Sequence, residues 1–226
     1  MSKVEPIHCR PAAFDLMAAQ SIRLARSEAL LGGAVAIAQH EMPEVEPARE
    51  SQRIDEIVAD IRGRFRSDSP HAILAHAHHV LFDEMRLQGA IGDEEPLDYY
   101  LPAVLDRRRG APVVLVMLYK LVLDRLGVPV HGLDIPGRFM AGIELDDSVM
   151  FVDVAVRGRV VSMRELVQFM LKESGRSSLS GKNPLPIASH REWLQRLLRN
   201  LMGVFGTRNR PTDVAAMVEL KGLLDE

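Results

Sequence analysis

The side chains best suited to chemistry in this chain fall in four places. Arg107-Arg108-Arg109 is a basic run that ends at Gly110, just before a long apolar stretch that begins at Pro112. Guanidinium groups beside the positive end of a helix would suit a carboxylate or phosphate. The plainer reading of so short a run is an ion-paired or solvated turn. Tyr99-Tyr100 could line such a pocket, or pack at the core and its rim as most aromatic residues do. His76, His79 and Asp83 fall at i, i+3 and i+7 on one helix, where two imidazoles and a carboxylate could share a zinc ion. Their spacing is not the zinc-protease pattern and no further ligand is evident, so a polar flank beside the core is the preferred reading and no metal is expected. His71 and His78 lie on the other edge of that apolar side. Cys9 would be a nucleophile only if an N-terminal arm brought its thiol within about 3 Å of a base such as His131. A thiol in a flexible arm, or tucked against the core, is the simpler reading.

These groups need a frame, and the stretch from Asp106 to Asp153 supplies it. Pro112 to Leu126 is apolar on most sides, which marks a buried helix. It falls short of the roughly 20 residues needed to span a bilayer. Pro112 suits the first helical position, and Gly127 with Pro129 marks the stop. Val130–Ile135, Arg138–Leu145 and Val149–Val156 then read as strands, with turns at Pro136-Gly137, Asp146-Asp147-Ser148 and Arg157-Gly158-Arg159. Val160-Val161 adds a short fourth. Ahead of the frame, residues 13–39 read as helical with a break at Gly32-Gly33, and Ser51–Phe65 as an amphipathic helix. A third helix starts after Ser69-Pro70. A short helix or mixed segment is expected over Leu97–Arg107. Behind the frame, Ser162/Glu165 and Ser189/Glu192 are capping boxes that each open a helix. A final helix over Val214–Leu224 completes an antiparallel pair that must dock on the core or on a partner. The expected organisation is a flexible arm at 1–12, a main domain at 13–173, a linker at 174–188 and a helical pair at 189–226.

Composition narrows the function. Hydrophobic residues make up 47% and charged residues 26%, an ordinary globular balance, and the net charge of -3 gives no electrostatic footprint for nucleic acid. One cysteine rules out an internal disulfide framework and suits a reducing compartment. The start, MSKVEPIHCRPAAFDL, has acidic residues and no apolar run, so it does not read as a signal peptide. A soluble cytoplasmic protein without membrane contact or cofactor is expected.

The order VLDRRRGAPVVLVMLYKLVLDRLGVPVHGLDIPGRF, a strand bearing an aspartate and then WLQRLLRNLMGVF resembles the SirB family of bacterial transglutaminase-like proteins. The likeness runs from about Phe14 to the end and is strongest from Val104 to Phe139. That family places arginine-glycine-x-proline before the central helix, leucine-glycine after it, then proline-glycine-histidine-phenylalanine, aspartate-proline and a tail resembling tetratricopeptide helices. Arg109-Gly110-Ala111-Pro112, Leu126-Gly127 and Pro136-Gly137 match. The resemblance implies an α+β fold with a core of the papain-like cysteine-protease type, a buried helix on a small antiparallel sheet. The wider superfamily runs on a Cys-His-Asp triad, with the cysteine at the start of the central helix. Carried over by position, those roles fall on Pro112, which has no nucleophilic atom, on Arg138, which cannot act as a base near neutral pH, and on Asp153, followed by Val154 in place of proline. The resemblance therefore implies a non-catalytic protein in which Arg138 pairs with Asp153 and the helical tail meets a protein partner. The alternative is a small enzyme or ligand binder whose cleft holds an anion through Arg107, Arg109, Gly110 and Arg138, beside Tyr99, Tyr100 and Asp153.

Overall fold

The computed structural model describes residues 5–67, 69–90, 92–135, 137–145, 148–174 and 185–225. In chain order the helices and strands are α1 (Pro11–Ser21), α2 (Ser27–Ala38), α3 (Pro47–Arg62), α4 (Pro70–His78), β1 (Gln88–Gly89), α5 (Leu101–Arg107), β2 (Arg109–Gly110), α6 (Pro112–Arg125), β3 (Val130–Ile135), β4 (Arg138–Leu145), β5 (Ser148–Asp153), β6 (Arg159–Val161), α7 (Met163–Ser174), β7 (Ile187–Ala188), α8 (His190–Thr207) and α9 (Pro211–Gly222). They form two compact units. One comprises Met1–Arg53, Ile91–Arg107 and Ser189–Glu226, and the other Ile54–Ala90 and Arg108–Ala188.

The second unit is the helix-on-sheet frame. Every residue of α6 from Val113 to Leu123 is buried. Pro112 opens the helix, and Gly127 at φ +85° closes it while Val128 donates back to the Leu123 carbonyl at 2.9 Å. Lys120 is the one charge on this buried run. Its Nζ donates to the Val130 carbonyl at 2.7 Å and pairs with Asp124 at 2.8 Å, and Asp124 also accepts from the Val130 N–H at 3.1 Å. The ammonium thus joins the helix to the first residue of β3.

The sheet has the order β6-β5-β4-β3-β7, and all its pairings are antiparallel. Alternation divides its side chains. Leu133, Ile135, Met140, Phe151 and Val161 form one face, closed by Leu166 with Phe169 and Met170 of α7. Val130, Ala141, Ile143 and Val152 point the other way, where α6 packs on β3 and β4. The strand expected to reach Val156 stops at Asp153. The Asp153 carboxylate accepts the Val156 N–H at 3.3 Å and turns Val154–Val156 into a 3-10 turn. The hairpin turn expected at Asp146-Asp147 and the Pro136 position lie outside the described residues.

In the first unit, α1 packs on α2, α2 on α8, and α8 on α9. The C-terminal pair, expected to dock on the core or on a partner, packs on the N-terminal helices, with Trp193, Leu197, Leu201 and Phe205 fully buried. Gly32-Gly33 does not break the helix, and the break falls at residues 22–26 instead. Both glycines lie inside α2, and a Cβ on Gly33 would sit 2.4 Å from a Leu194 methyl carbon, so the glycine admits α8. Nor are residues 7–9 a loose arm: their N–H groups donate to the Glu219 carboxylate at 2.8–3.1 Å. Of the expected linker, 175–184 lies outside the described residues, while Ile187–Ala188 forms β7 on the edge of the sheet.

Both capping boxes are made. Ser162 and Glu165 exchange bonds at 2.9 and 3.2 Å, and Ser189 and Glu192 at 2.8 and 3.3 Å. Among the described residues no helix is long and apolar enough to cross a membrane.

The Lys120 clamp yields a prediction. Asp124→Ala strands a buried ammonium and the Val130 N–H, so it should lower unfolding free energy by about 3 kcal/mol in urea titrations. A change below about 1 kcal/mol would mean that the clamp is not a stability element.

Candidate functional site

Three positions were expected to carry the site, and two of them meet. Arg138 stands opposite Ile135 across β3 and β4, so its side chain shares the face that α7 covers. Its guanidinium carbon lies 4.2 Å from the centroid of the Phe169 ring, a cation–π arrangement. One of its nitrogens reaches Asp153 Oδ2 at 3.5 Å. This is a single, long contact and not the bidentate fork an arginine can make. The Arg138 side chain is 42% exposed and that of Asp153 only 6%. The carboxylate is thus held from inside by the Val156 N–H and from outside by a cation with spare donors. Pro112 begins α6, where its ring fills the first helical position. No side-chain atom there can attack a substrate.

The wider binding set is divided between the two units. Arg109 and Gly110 make β2, which pairs with Gln88 and Gly89, and the Gly110 carbonyl accepts the Ala90 N–H at 2.9 Å. Arg107, Tyr99 and Tyr100 belong to the other unit, and each is already engaged there. Arg107 pairs with Glu95 and approaches Asp98 at 3.5 Å. Tyr99 donates to Glu94, and Tyr100 donates to Glu41 at 2.8 Å. Burial, followed by the adjacent Glu94 or Glu41, pushes both phenols well above their usual range. They act as hydrogen-bond donors that tie carboxylates to a packed interior.

The histidines are also taken up structurally. His79 pairs with Asp83 at 3.2 Å and with Glu84 at 3.1 Å, and the ring of His76 faces Phe65 at 6.2 Å. Among the described residues no three His, Cys, Asp or Glu side chains gather as a metal site. His131 pairs with Glu144 at 3.1 Å across β3 and β4. His78 contributes a feature that sequence reasoning missed. The helix passes into a π-helical turn over His79–Glu84, and His78 Nε2 meets the Tyr119 hydroxyl of α6 at 2.7 Å, with the Phe82 ring edge-on at 5.1 Å. Burial lowers its pKa, and Asp83 pulls more weakly the other way. Cys9 is 5% exposed, and burial, aided by Glu219, pushes its thiol up to about 12. Such a thiol is protonated near neutral pH and lacks the thiolate that nucleophilic catalysis needs.

Comparison with known proteins decides the family. The sequence pattern of the transglutaminase-like superfamily matches residues 48–199. The chain belongs to that superfamily. A UPF0162 protein of Xylella fastidiosa is 29% identical over 191 residues, which cover 80% of this chain and 66% of that protein. A UPF0162 protein of Pseudomonas aeruginosa is 29% identical over 201 residues, 87% of this chain and 72% of its own length. F-box only protein 21 of Mus musculus is 25% identical over 142 residues, 58% of this chain and 22% of its own. The chain therefore spans just under two thirds of the Xylella relative and a small part of the mouse one. No solved structure matches it. Within the superfamily's matched region lie Pro112, Arg138 and Asp153, together with the Phe169 ring beneath the guanidinium.

Two predictions follow from the titrating groups. With its folded pKa lowered, His78 leaves stability intact above the unfolded value of about 6.5 and removes it as pH falls below that. Urea titrations between pH 7.5 and 5 should show this loss, and His78→Gln should flatten it; an unchanged slope would reject the assignment. For Cys9, iodoacetamide should label the folded wild type slowly at pH 7.5. Glu219→Ala, which frees the 7–9 backbone, should speed labelling by about tenfold, and equal rates would show that Glu219 does not hold the segment.

Proposed function

We propose that the protein is a non-catalytic member of the transglutaminase-like superfamily, of the SirB type, that serves in the cytoplasm as a protein-binding or regulatory scaffold. The observation that carries this reading is the Arg138–Asp153 contact at 3.5 Å, combined with a proline at the start of α6. An acyl-transfer site needs a nucleophile activated by a base. Here the nucleophile's place holds a ring without a reactive atom, and the base's place holds a permanent cation bound to the group that would have oriented it. The buried, protonated thiol of Cys9 offers no substitute. What persists is a rigid frame and a pair of C-terminal helices that resemble a shortened tetratricopeptide tail.

A second reading draws on one observation. Arg138 is 42% exposed and makes one long contact, so several of its N–H groups face outward. A guanidinium steadied by Phe169 and Asp153 is suited to a carboxylate or phosphate, as a ligand binder or small enzyme would require.

Turnover separates the two. Purified wild type, given an amine donor with a glutamine peptide and separately a casein substrate, should release no ammonia and no new amino termini above a protein-free blank. Turnover by wild type that Arg138→Ala abolishes would overturn the non-catalytic reading.

A further inference from the structure

Three arginines of the sheet-bearing unit hold left-handed backbone conformations: Arg86 at φ +59°, Arg108 at φ +56° and Arg157 at φ +51°. A residue with a Cβ adopts that region at a cost of order 1 kcal/mol, so the surrounding fold must impose it. The three turns are tied to one another. Arg86 precedes β1, Arg108 precedes β2, and the Gln88 N–H donates to the Arg108 carbonyl at 3.1 Å. A Cβ on Gly89 of β1 would meet the Ala155 carbonyl at 3.0 Å, which places the turn holding Arg157 against the β1–β2 pair. Arg157 donates to the Phe82 carbonyl at 2.9 Å, four residues before Arg86. Arg138 joins through Asp153, which binds the Val156 N–H next to Arg157.

Arg86, Arg108, Arg138 and Arg157 are all exposed. Among the described residues no carboxylate lies within ion-pair distance of Arg86 or Arg108. The nearby acids are engaged elsewhere: Asp83 with His79, Glu84 with Arg64 and His79, and Glu165 with Arg159. Next to Arg157 in the chain, Val156 is 52% exposed. Four exposed arginines on backbone segments linked in this way are a local feature of a chain whose net charge is -3.

We propose that Arg86, Arg108, Arg138 and Arg157, set around Val156, form a docking surface for an acidic peptide segment of a protein partner, one that carries an apolar side chain among its carboxylates. Charge complementarity selects the acid, and the exposed valine selects a peptide over a small anion. Three of the four residues have backbones fixed in the left-handed region before binding, which lowers the ordering cost of association. This inference rests on the protein-binding reading above and names the partner's chemistry.

The test uses a fluorescein-labelled twelve-residue peptide of Asp and Glu with two leucines, titrated with the full-length protein by anisotropy at about 50 and 300 mM NaCl. Binding should weaken with salt. Arg86→Glu/Arg108→Glu should weaken it by about tenfold, while Arg62→Glu/Arg66→Glu, an equal charge change at two exposed arginines of the same unit other than these four, should leave it within about twofold. If the reversed pair does not fold, Arg86→Gln/Arg108→Gln gives the same readout. No binding at 100 µM protein, an equal loss in the control pair, or equal displacement by inorganic phosphate or a single-stranded oligonucleotide would each overturn the proposal. Failure here with no turnover in the enzymatic assay would remove the surface and leave the non-catalytic reading standing.

Discussion

Burial of α6 is the constraint on which the sheet-bearing unit depends. A helix with apolar groups on every side has no solvent face, so the chain must surround it. The sheet covers it through β3 and β4, and the 3-10 turn at Val154–Val156 packs on it as well. The one charge among its buried residues, Lys120, is tolerated because its partners lie within hydrogen-bond reach on the same helix and on β3. Those partners also set where β3 begins, and the register of β3 sets that of β4 and β5. The position of Arg138 and Asp153 thus follows from a packing requirement that is indifferent to catalysis. A frame fixed by packing can carry different site chemistries.

Much of this frame was legible because its signals are local. Pro112 and Gly127 bracket α6, alternation marks β3 and β4, and two capping boxes place the starts of α7 and α8. The failures share a physical cause, since each depended on what the chain meets at a distance. Gly32-Gly33 reads as a breaker in isolation, and only the approach of Leu194 shows that the missing Cβ serves packing. Residues 7–9 look unanchored until Glu219, over two hundred positions away, accepts their N–H groups. The end of β5 was overrun because Val154–Val156 has strand-like composition, and the capping bond from Asp153 overrides it.

The site was legible by residue type and not by grouping. Arg138 and Asp153 were identified by position and meet, while Tyr99, Tyr100 and Arg107, expected to line the same cleft, make hydrogen bonds and ion pairs with Glu94, Glu41, Glu95 and Asp98 within the other unit. Phe169 beneath Arg138 had no sequence signal, since an aromatic residue at helical spacing reads as core. The left-handed arginines were equally invisible, because positive φ is anticipated at glycine and asparagine and not at arginine.

On the proposed SirB-type reading an arginine stands where a histidine is expected, and the two differ in charge as well as in basicity. An imidazole in contact with Asp153 would titrate near neutral pH, and the local charge would follow the protonation state. A guanidinium does not titrate in that range. Asp153 has a side chain only 6% exposed, so its charge needs a constant partner, and Arg138 supplies one while keeping most of its own donors in solvent. Arg138 and Asp153 form a pair that is linked to the turn of Arg157 through the Val156 N–H. On the proposed reading, the arginine that would leave acyl transfer without a base would also keep this end of the sheet attractive to carboxylates. Non-catalysis and recognition of an acidic partner, both proposed above, would then be two consequences of one residue choice.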